Sequence, residues 1–369
     1  MKKTVLAVAI ASTMASSGNL MAASLEDRLM AMEKRINYLE QRVQSQDQVI
    51  QDKDAELREL KGGSDTPWFQ KVGIGGAIEV EANSVSTDGS PDTSDVVAAT
   101  VELGITAQVN DWVSAEFVAK YSEDTDNADA DSDNDFNVDT AMVAIANPDA
   151  NWFVNAGHYT MPFGAYSTNM LADPLTLNMG ETGDTAIEVG IDNDGLGASI
   201  YIFQGDNETE TNSFGAQITY STEGENFSFT GHLGYINNIG ETDGISGDSN
   251  ETAGWVVSAE LTTGPFTVIG EYITASDNVS ALGNAEPSAY NLEVGYGFDV
   301  AGMPATIALG VQGTDEASHS GVDLAEERVI GAFTLEIQEG TTVGLEFIND
   351  EAYDGTETDT VTGKLAVEF

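Results

Sequence analysis

Gly254-Trp255-Val256-Val257-Ser258-Ala259-Glu260-Leu261-Thr262-Thr263-Gly264-Pro265-Phe266-Thr267-Val268-Ile269-Gly270-Glu271-Tyr272-Ile273 is the stretch on which the fold turns. Trp255, Val257, Ala259 and Leu261 fall at every second place, and so do Phe266, Val268, Gly270 and Tyr272. Ser258, Glu260, Thr267 and Glu271 alternate with them. A period of two puts the first set on one face of a strand and the second on the other. Thr263-Gly264 between the runs reads as a tight turn, so the tract predicts a β-hairpin with one apolar and one polar face.

The same pattern recurs outward in both directions. Sixteen segments of about ten residues are predicted, at 71–82, 96–109, 112–122, 136–146, 151–159, 184–192, 196–204, 212–221, 226–237, 252–262, 265–274, 287–299, 304–313, 324–338, 341–349 and 359–369. The connections alternate between short (Asn110-Asp111, Asn193-Asp194-Gly195, Ala301-Gly302-Met303, Glu339-Gly340) and long, acidic ones such as Glu123 to Asp135 and Asn238 to Glu251. Short turns at one rim and long loops at the other predict an all-β chain: a transmembrane antiparallel β-barrel of about 16 strands. The competing reading is a soluble β-sandwich, which has no reason to alternate loop length so regularly.

One face of these strands is apolar. The other repeats a glutamate near mid-strand: Glu79, Glu81, Glu102, Glu116, Glu188, Glu260, Glu271, Glu293, Glu336 and Glu346, with Lys120, Arg328 and Lys364 as the bases available to pair with them. In lipid or in a dry core, each unpaired carboxylate would be costly. The expectation is therefore a water-filled lumen lined by these thirteen residues, and the assignment depends on register, since a one-residue slip exchanges the faces. Trp68, Phe69, Trp112, Trp152, Tyr159, Tyr201, Phe203, Phe227, Tyr235 and Tyr290 sit near predicted strand ends, where an aromatic girdle would lie.

The longest connection, Thr160 to Gly183, is apolar-rich and carries only Asp173 and Glu181 as charges. A loop of this length usually has a role. Its composition predicts packing inside the barrel as a constriction, with Pro162, Phe163, Gly164, Tyr166, Asn169, Asp173, Pro174 and Glu181 as its marking residues; the alternative is an extra hairpin over the rim.

The part before the barrel differs. Met1-Lys2-Lys3 and the short apolar run to Ala15 predict a signal peptide over 1–23. From Leu25 to Leu60, heptads place Leu29, Ile36, Val43, Ile50 and Leu57 at a, and Leu25, Met32, Leu39, Gln46, Lys53 and Leu60 at d. That predicts an α-helical coiled coil over 24–61, with 62–70 as a linker to a barrel over 71–369; a lone amphipathic helix is the alternative.

The chain has 369 residues, 13 Lys+Arg against 62 Asp+Glu, a net charge of −49 and no cysteine. Nine bases and nine acids lie in the first 61 residues, so the whole excess follows them, and all of it but Asp65 of the linker belongs to the predicted barrel. Such a field excludes nucleic acid as a partner. Without cysteine, and with only His158, His232 and His319, neither a metal site nor a cofactor is expected. The Asp-rich run Asp124 to Asp135 lacks the glycine and terminal glutamate of a calcium loop. No Gly-x-Ser-x-Gly motif accompanies His158 or His232, so the reading is not an enzyme.

Gly157-His158-Tyr159-Thr160-Met161-Pro162-Phe163-Gly164, with Thr168-Asn169-Met170, Asp173-Pro174-Leu175-Thr176-Leu177 and Gly180-Glu181-Thr182, resembles the outer-membrane siderophore porins of the LbtU type. The resemblance implies ferric-siderophore uptake through a barrel without a plug domain, in the outer membrane of a Gram-negative bacterium. It also implies a periplasmic coiled coil and assembly as a homo-oligomer, a trimer being expected. Phe369, last on an alternating strand, looks like the recognition signal of the barrel-assembly machinery. The expected function is passive diffusion of small, preferably cationic solutes across outer-membrane lipid. A structural or adhesive barrel without transport is the alternative.

Overall fold

The computed structural model describes residues 71–123, 136–147, 150–205, 211–245, 251–319 and 322–369. The expected signal segment 1–23, the expected coiled coil 24–61, the expected linker 62–70 and the acidic run from Asp124 lie outside the described residues.

The strands are β1 (Val72–Thr87), β2 (Thr93–Gln108), β3 (Val113–Tyr121), β4 (Asn137–Ala146), β5 (Trp152–Thr160), β6 (Gly183–Asn193), β7 (Leu196–Phe203), β8 (Ser213–Gly224) and β9 (Phe227–Ile236). They continue as β10 (Gly254–Thr263), β11 (Phe266–Ala275), β12 (Ser288–Val300), β13 (Met303–Asp315), β14 (Ser318–His319), β15 (Val322–Asp323), β16 (Glu327–Gln338), β17 (Thr341–Glu351) and β18 (Glu357–Glu368). One short helix, α1 (Leu175–Gly180), lies between β5 and β6. Each strand but β14 and β15 pairs antiparallel with its neighbours, and β1 pairs with β18 to close a 16-stranded barrel. β14 and β15 form a separate two-stranded hairpin within the β13–β16 connection.

The hairpin Gly254 to Ile273 has the register its alternation requires, with Val257 opposite Tyr272 and Ser258 opposite Glu271. Asp194-Gly195 (φ 48° and 86°) and Ala301-Gly302 (φ 54° and 87°) take positive φ at both central residues of two-residue turns. That backbone twist matches the right-handed twist of the flanking strands. At the seam, Gly76 and Phe369 exchange two backbone hydrogen bonds of 3.0 Å, so the last residue is itself part of the closure.

β1 and β2 are longer than their sequence suggests. The predicted segments ended at 82 and began at 96, whereas pairing runs on through Val85 opposite Thr93. The polar run Asn83-Ser84-Val85-Ser86-Thr87 reads as loop, yet Asn83 to Val85 pair with both neighbouring strands and Ser86 and Thr87 with β18. Pairing, rather than apolarity, carries a barrel wall beyond its apolar band.

The two faces differ from one residue to the next: Leu292 is 51% exposed and Glu293 0%. Leu292, Val294, Val257, Ile187, Val189, Leu345 and Phe347 are all exposed apolar residues, and they share the outward parity. Trp112 and Trp152 meet edge to face at 6.2 Å near one rim, and half-buried Tyr235 meets Trp255 at 4.7 Å near the other; the three tryptophans are exposed. Tyr159, Tyr201 and Phe203 correct the girdle expectation: they have inward parity and are buried in a core. This core lies inside the barrel, where Ile239, Ile245, Val279 and Leu282 from the long connections pack on Met161, Phe163 and Met179. The connection after β9 was expected to be a hydrated acidic loop; Ile239 and Ile245 anchor it within the barrel instead.

Candidate functional site

Residues 161–182 fold against the inward face of the barrel. Phe163 and Met161 are buried in the internal core. The segment then crosses the wall in three-residue steps, each ending on a glutamate. The N–H groups of Ala165 and Tyr166 both donate to Glu271 Oε2, at 3.0 and 3.1 Å. Thr168 Oγ1 donates to Glu293 Oε1 and Asn169 N to Glu293 Oε2, both at 2.7 Å. Leu171 N donates to Glu346 Oε2 at 2.6 Å and Ala172 N to Oε1 at 3.1 Å. Leu175 N, opening α1, then reaches Gln312 Oε1 at 3.0 Å. Arg328 holds Asp350 with two hydrogen bonds of 2.7 and 2.9 Å and turns its remaining nitrogen to the Asp173 carbonyl at 3.4 Å.

The chemistry explains the spacing. A loop carried inside a barrel loses water from its amides, and buried N–H groups need acceptors. A carboxylate accepts from two successive amides, and charged acceptors make the stronger bonds. At the first step, Tyr166 adopts φ 51°, a left-handed conformation uncommon for a bulky residue. It turns two consecutive N–H groups toward one anion, the nest geometry. The ring of Tyr166 then folds back over Gly164 and Gly180. Burial pushes its phenol well above the ordinary tyrosine value, with Glu271 adding to the effect.

Closer to β5, His232 Nε2 donates to the Phe163 carbonyl at 2.8 Å. The neighbouring inward position is Gly234, where any Cβ would overlap that same carbonyl, so glycine is required by close approach of the loop backbone. At the start of α1, the Pro174 carbonyl accepts from Leu177 N and Asn178 N. Asp243 N donates to the Glu181 carbonyl at 2.8 Å and Thr242 Oγ1 to the Met179 carbonyl at 2.9 Å, which ties the loop to the connection after β9. Burial, followed by the charge of Asp243, raises the Glu181 carboxyl above the usual carboxylate range.

The remaining wall is built differently. Lys364 bridges Glu79 at 2.8 Å and Glu81 at 3.4 Å across the β18–β1 seam. Lys120 lies 3.7 Å from Glu102. Asn155 Nδ2 donates to Glu188 at 2.8 Å. Glu260 and Glu336 are half-buried near the short-turn ends of β10 and β16. Glu116, Glu188, Asn155, Tyr159, Met142 and Pro162 line one cavity of about 430 Å³ between the start of the loop and the wall.

The ten glutamates thus share the inward face, but they do not share one environment. Water was expected to be the medium that tolerates them. For Glu271 (6% exposed), Glu293 (0%) and Glu346 (2%), that expectation is corrected, because loop amides occupy the place water was given. Glu188 (3%) is likewise buried. Gln312 and His232 are not anchors that the sequence marks, although both share the inward face with Glu293 and Glu260 of the neighbouring strands. The signal that marks them is the need of a loop carried inside for wall groups that receive its amides or hold its carbonyls. His158, opposite Ala141 and Thr185, belongs to the outward set and meets neither.

The closed 16-stranded wall with a long connection folded onto its inner face defines a barrel of porin type. No protein-family model matches the chain. It is similar to a UPF0422 protein of Coxiella burnetii, 27% identical over 315 residues, covering 79% of this chain and 66% of the relative. It is also similar to a UPF0422 protein of Legionella pneumophila strain Paris, 28% identical over 312 residues, covering 74% and 57%. The chain therefore spans less than two thirds of the length of these relatives. Among solved structures, the outer-membrane channel DcaP of Acinetobacter baumannii matches with a TM-score of 0.57 at 16% identity, covering 81% of this chain and 97% of that one. An anion-selective porin from Comamonas acidovorans matches with a TM-score of 0.56 at 12% identity, covering 81% and 99%. At these identities the likeness is one of fold.

Two predictions follow from the carboxylate anchors. Glu293→Ala leaves the Thr168 hydroxyl and the Asn169 amide without their acceptor, at an expected cost of about 1–3 kcal/mol. Chymotrypsin should then cleave after Phe163 or Tyr166 faster than in the parent, with Glu293→Gln intermediate. Glu181 binds its proton more readily in the folded chain than in the unfolded one. Its ionisation therefore costs stability as pH rises through its raised folded value. Glu181→Gln should raise the melting temperature at pH 7, and the gain should shrink as the pH falls below the ordinary glutamate range.

Proposed function

We propose that this protein is an outer-membrane porin whose acidic wall passes small solutes by diffusion and prefers cations. The observation that carries this reading is the distribution of charge inside the barrel. The wall of β18, β1, β2, β3 and β6 carries Glu79, Glu81, Glu102, Glu116 and Glu188; among the described residues the ion pairs there are those of Lys120 with Glu102 and of Lys364 with Glu79 and Glu81. Arg328, on the other side, is held by Asp350. A cleft with one sign of charge and low-dielectric walls concentrates counter-ions and repels co-ions. The fold itself says nothing of the sign, since an anion-selective porin shares it; the side chains supply it.

In this reading the thirteen charged wall residues have two duties. Glu271, Glu293, Glu346 and Arg328 set the constriction by holding the loop marked by Pro162, Phe163, Gly164, Tyr166, Asn169, Asp173, Pro174 and Glu181. Glu79, Glu81, Glu102, Glu116, Lys120, Glu188, Glu260, Glu336 and Lys364 shape the field along the passage. Residues 1–23 direct export, and the 24–61 coiled coil stands in the periplasm on the linker 62–70. Phe369, paired at the seam and 67% exposed, is offered to the barrel-assembly machinery. Trimerisation follows from the porin resemblance and a coil that needs partners. Ferric-siderophore uptake is the specialised form implied by the LbtU-type resemblance; the acidic wall favours a neutral or cationic complex over a carboxylate-rich one.

Planar-bilayer recording under a KCl gradient tests the channel and its sign together. The expected result is stepwise conductance with a reversal potential displaced toward the potassium value, and a displacement toward chloride would contradict the assignment. Absence of conductance in correctly folded protein would favour the structural barrel.

A further inference from the structure

The cavity beside Pro162 combines features that an ion path alone does not require. Its walls come from β3, β4, β5, β6 and β8, and its volume of about 430 Å³ suits a small organic molecule. Two carboxylates face it, Glu116 and Glu188. Glu116 has no hydrogen bond or ion pair among the described residues, whereas Asn155 Nδ2 orients one side of Glu188 from 2.8 Å. Met142, Phe153 and Pro162 supply apolar surface in the same cavity. The second, independent observation is Tyr159. Tyr159 is 7% exposed, it lines the cavity, and its hydroxyl has no hydrogen-bond partner among the described residues. Buried hydroxyls are normally partnered, so an unpartnered one beside a cavity points to a ligand or solvent group there.

We propose that this cavity is a binding site for a small organic ammonium ion with an apolar body, seated with its nitrogen between Glu116 and Glu188. The Tyr159 hydroxyl would accept one ammonium N–H. The carbon portion would lie on Phe153, Met142 and Pro162, where an aromatic face also favours a cation. Among the described residues, no basic side chain lines the cavity. The nearest wall lysine on β3, Lys120, is 3.7 Å from Glu102. An organic anion would meet two carboxylates without a counter-charge. A bare alkali ion would leave the apolar half unused. The inference deepens the channel reading and rests on it for access to the site from the lumen.

Isothermal titration of the full-length, detergent-solubilised protein tests it with three probes of similar shape: phenethylammonium, 2-phenylethanol and 3-phenylpropanoate. Saturable binding is expected for phenethylammonium alone. Glu116→Gln and Glu188→Gln should each weaken it roughly tenfold or more, as expected for loss of a charge-assisted contact, and Tyr159→Phe by a smaller factor. Resistance of the folded band to SDS without heating establishes that each variant is assembled. Equal binding of all three probes, no binding of the ammonium, or unchanged affinity in both glutamine variants would overturn the site, and the probe comparison on the parent protein decides even where a variant does not fold. KCl conductance recorded on the same preparations separates the two readings. Conductance without ammonium binding removes the site and leaves the channel, and ammonium binding without conductance removes the channel and leaves the site.

Discussion

Backbone N–H groups carried into the interior of the barrel must find acceptors there, and the rest of the structure is arranged around that requirement. Residues 161–182 bring a long run of main chain away from the rim. The wall meets it with Glu271, Glu293, Glu346 and Gln312, each placed on an inward position of a different strand. A carboxylate buried alone would be expensive. One that receives two amide hydrogens, or an amide and a hydroxyl, exchanges water for fixed donors of equal chemistry. The left-handed Tyr166 shows what this arrangement demands locally: a strained backbone, at order 1–3 kcal/mol, is kept because it turns two N–H groups onto one oxygen.

The loop divides the interior. Where it lies, over β9 to β17, buried glutamates and apolar residues form a packing layer that includes Phe163, Met170 and Ile330. Across from it, β18 through β6 carry carboxylates, with two lysines neutralised locally. One repeated residue type therefore does two kinds of work, and position relative to the loop decides which. The negative field, the cavity beside Pro162 and the proposed selectivity all belong to the side the loop leaves open.

Much of the fold is legible in the chain because a barrel wall is a period-two object. Strands such as β10 and β11 declare both their faces and their turn, and the alternation of short and long connections gives the antiparallel order. Strand ends are less legible: Asn83 to Thr87 look like loop because pairing above the apolar band needs no hydrophobic residue. Tyr159, Tyr201 and Phe203 look like girdle residues by aromatic character and place near strand ends, but their parity is inward. The site was legible in part. Composition marked 160–183 as a segment that belongs inside, and parity marked the glutamates as inward. What sequence could not convey is that these two features solve each other's problem, since that depends on which strand the loop crosses at each step. Gln312 and His232 were missed for the same reason.

Hydrogen–deuterium exchange resolved to single amides, on the full-length protein in detergent, tests this arrangement most directly. The account predicts that the amides of Ala165, Tyr166, Asn169, Leu171 and Leu175 exchange as slowly as those in the middle of β11 and β12. Exchange of these amides at the rate of an unstructured peptide, with the strands still protected, would contradict it.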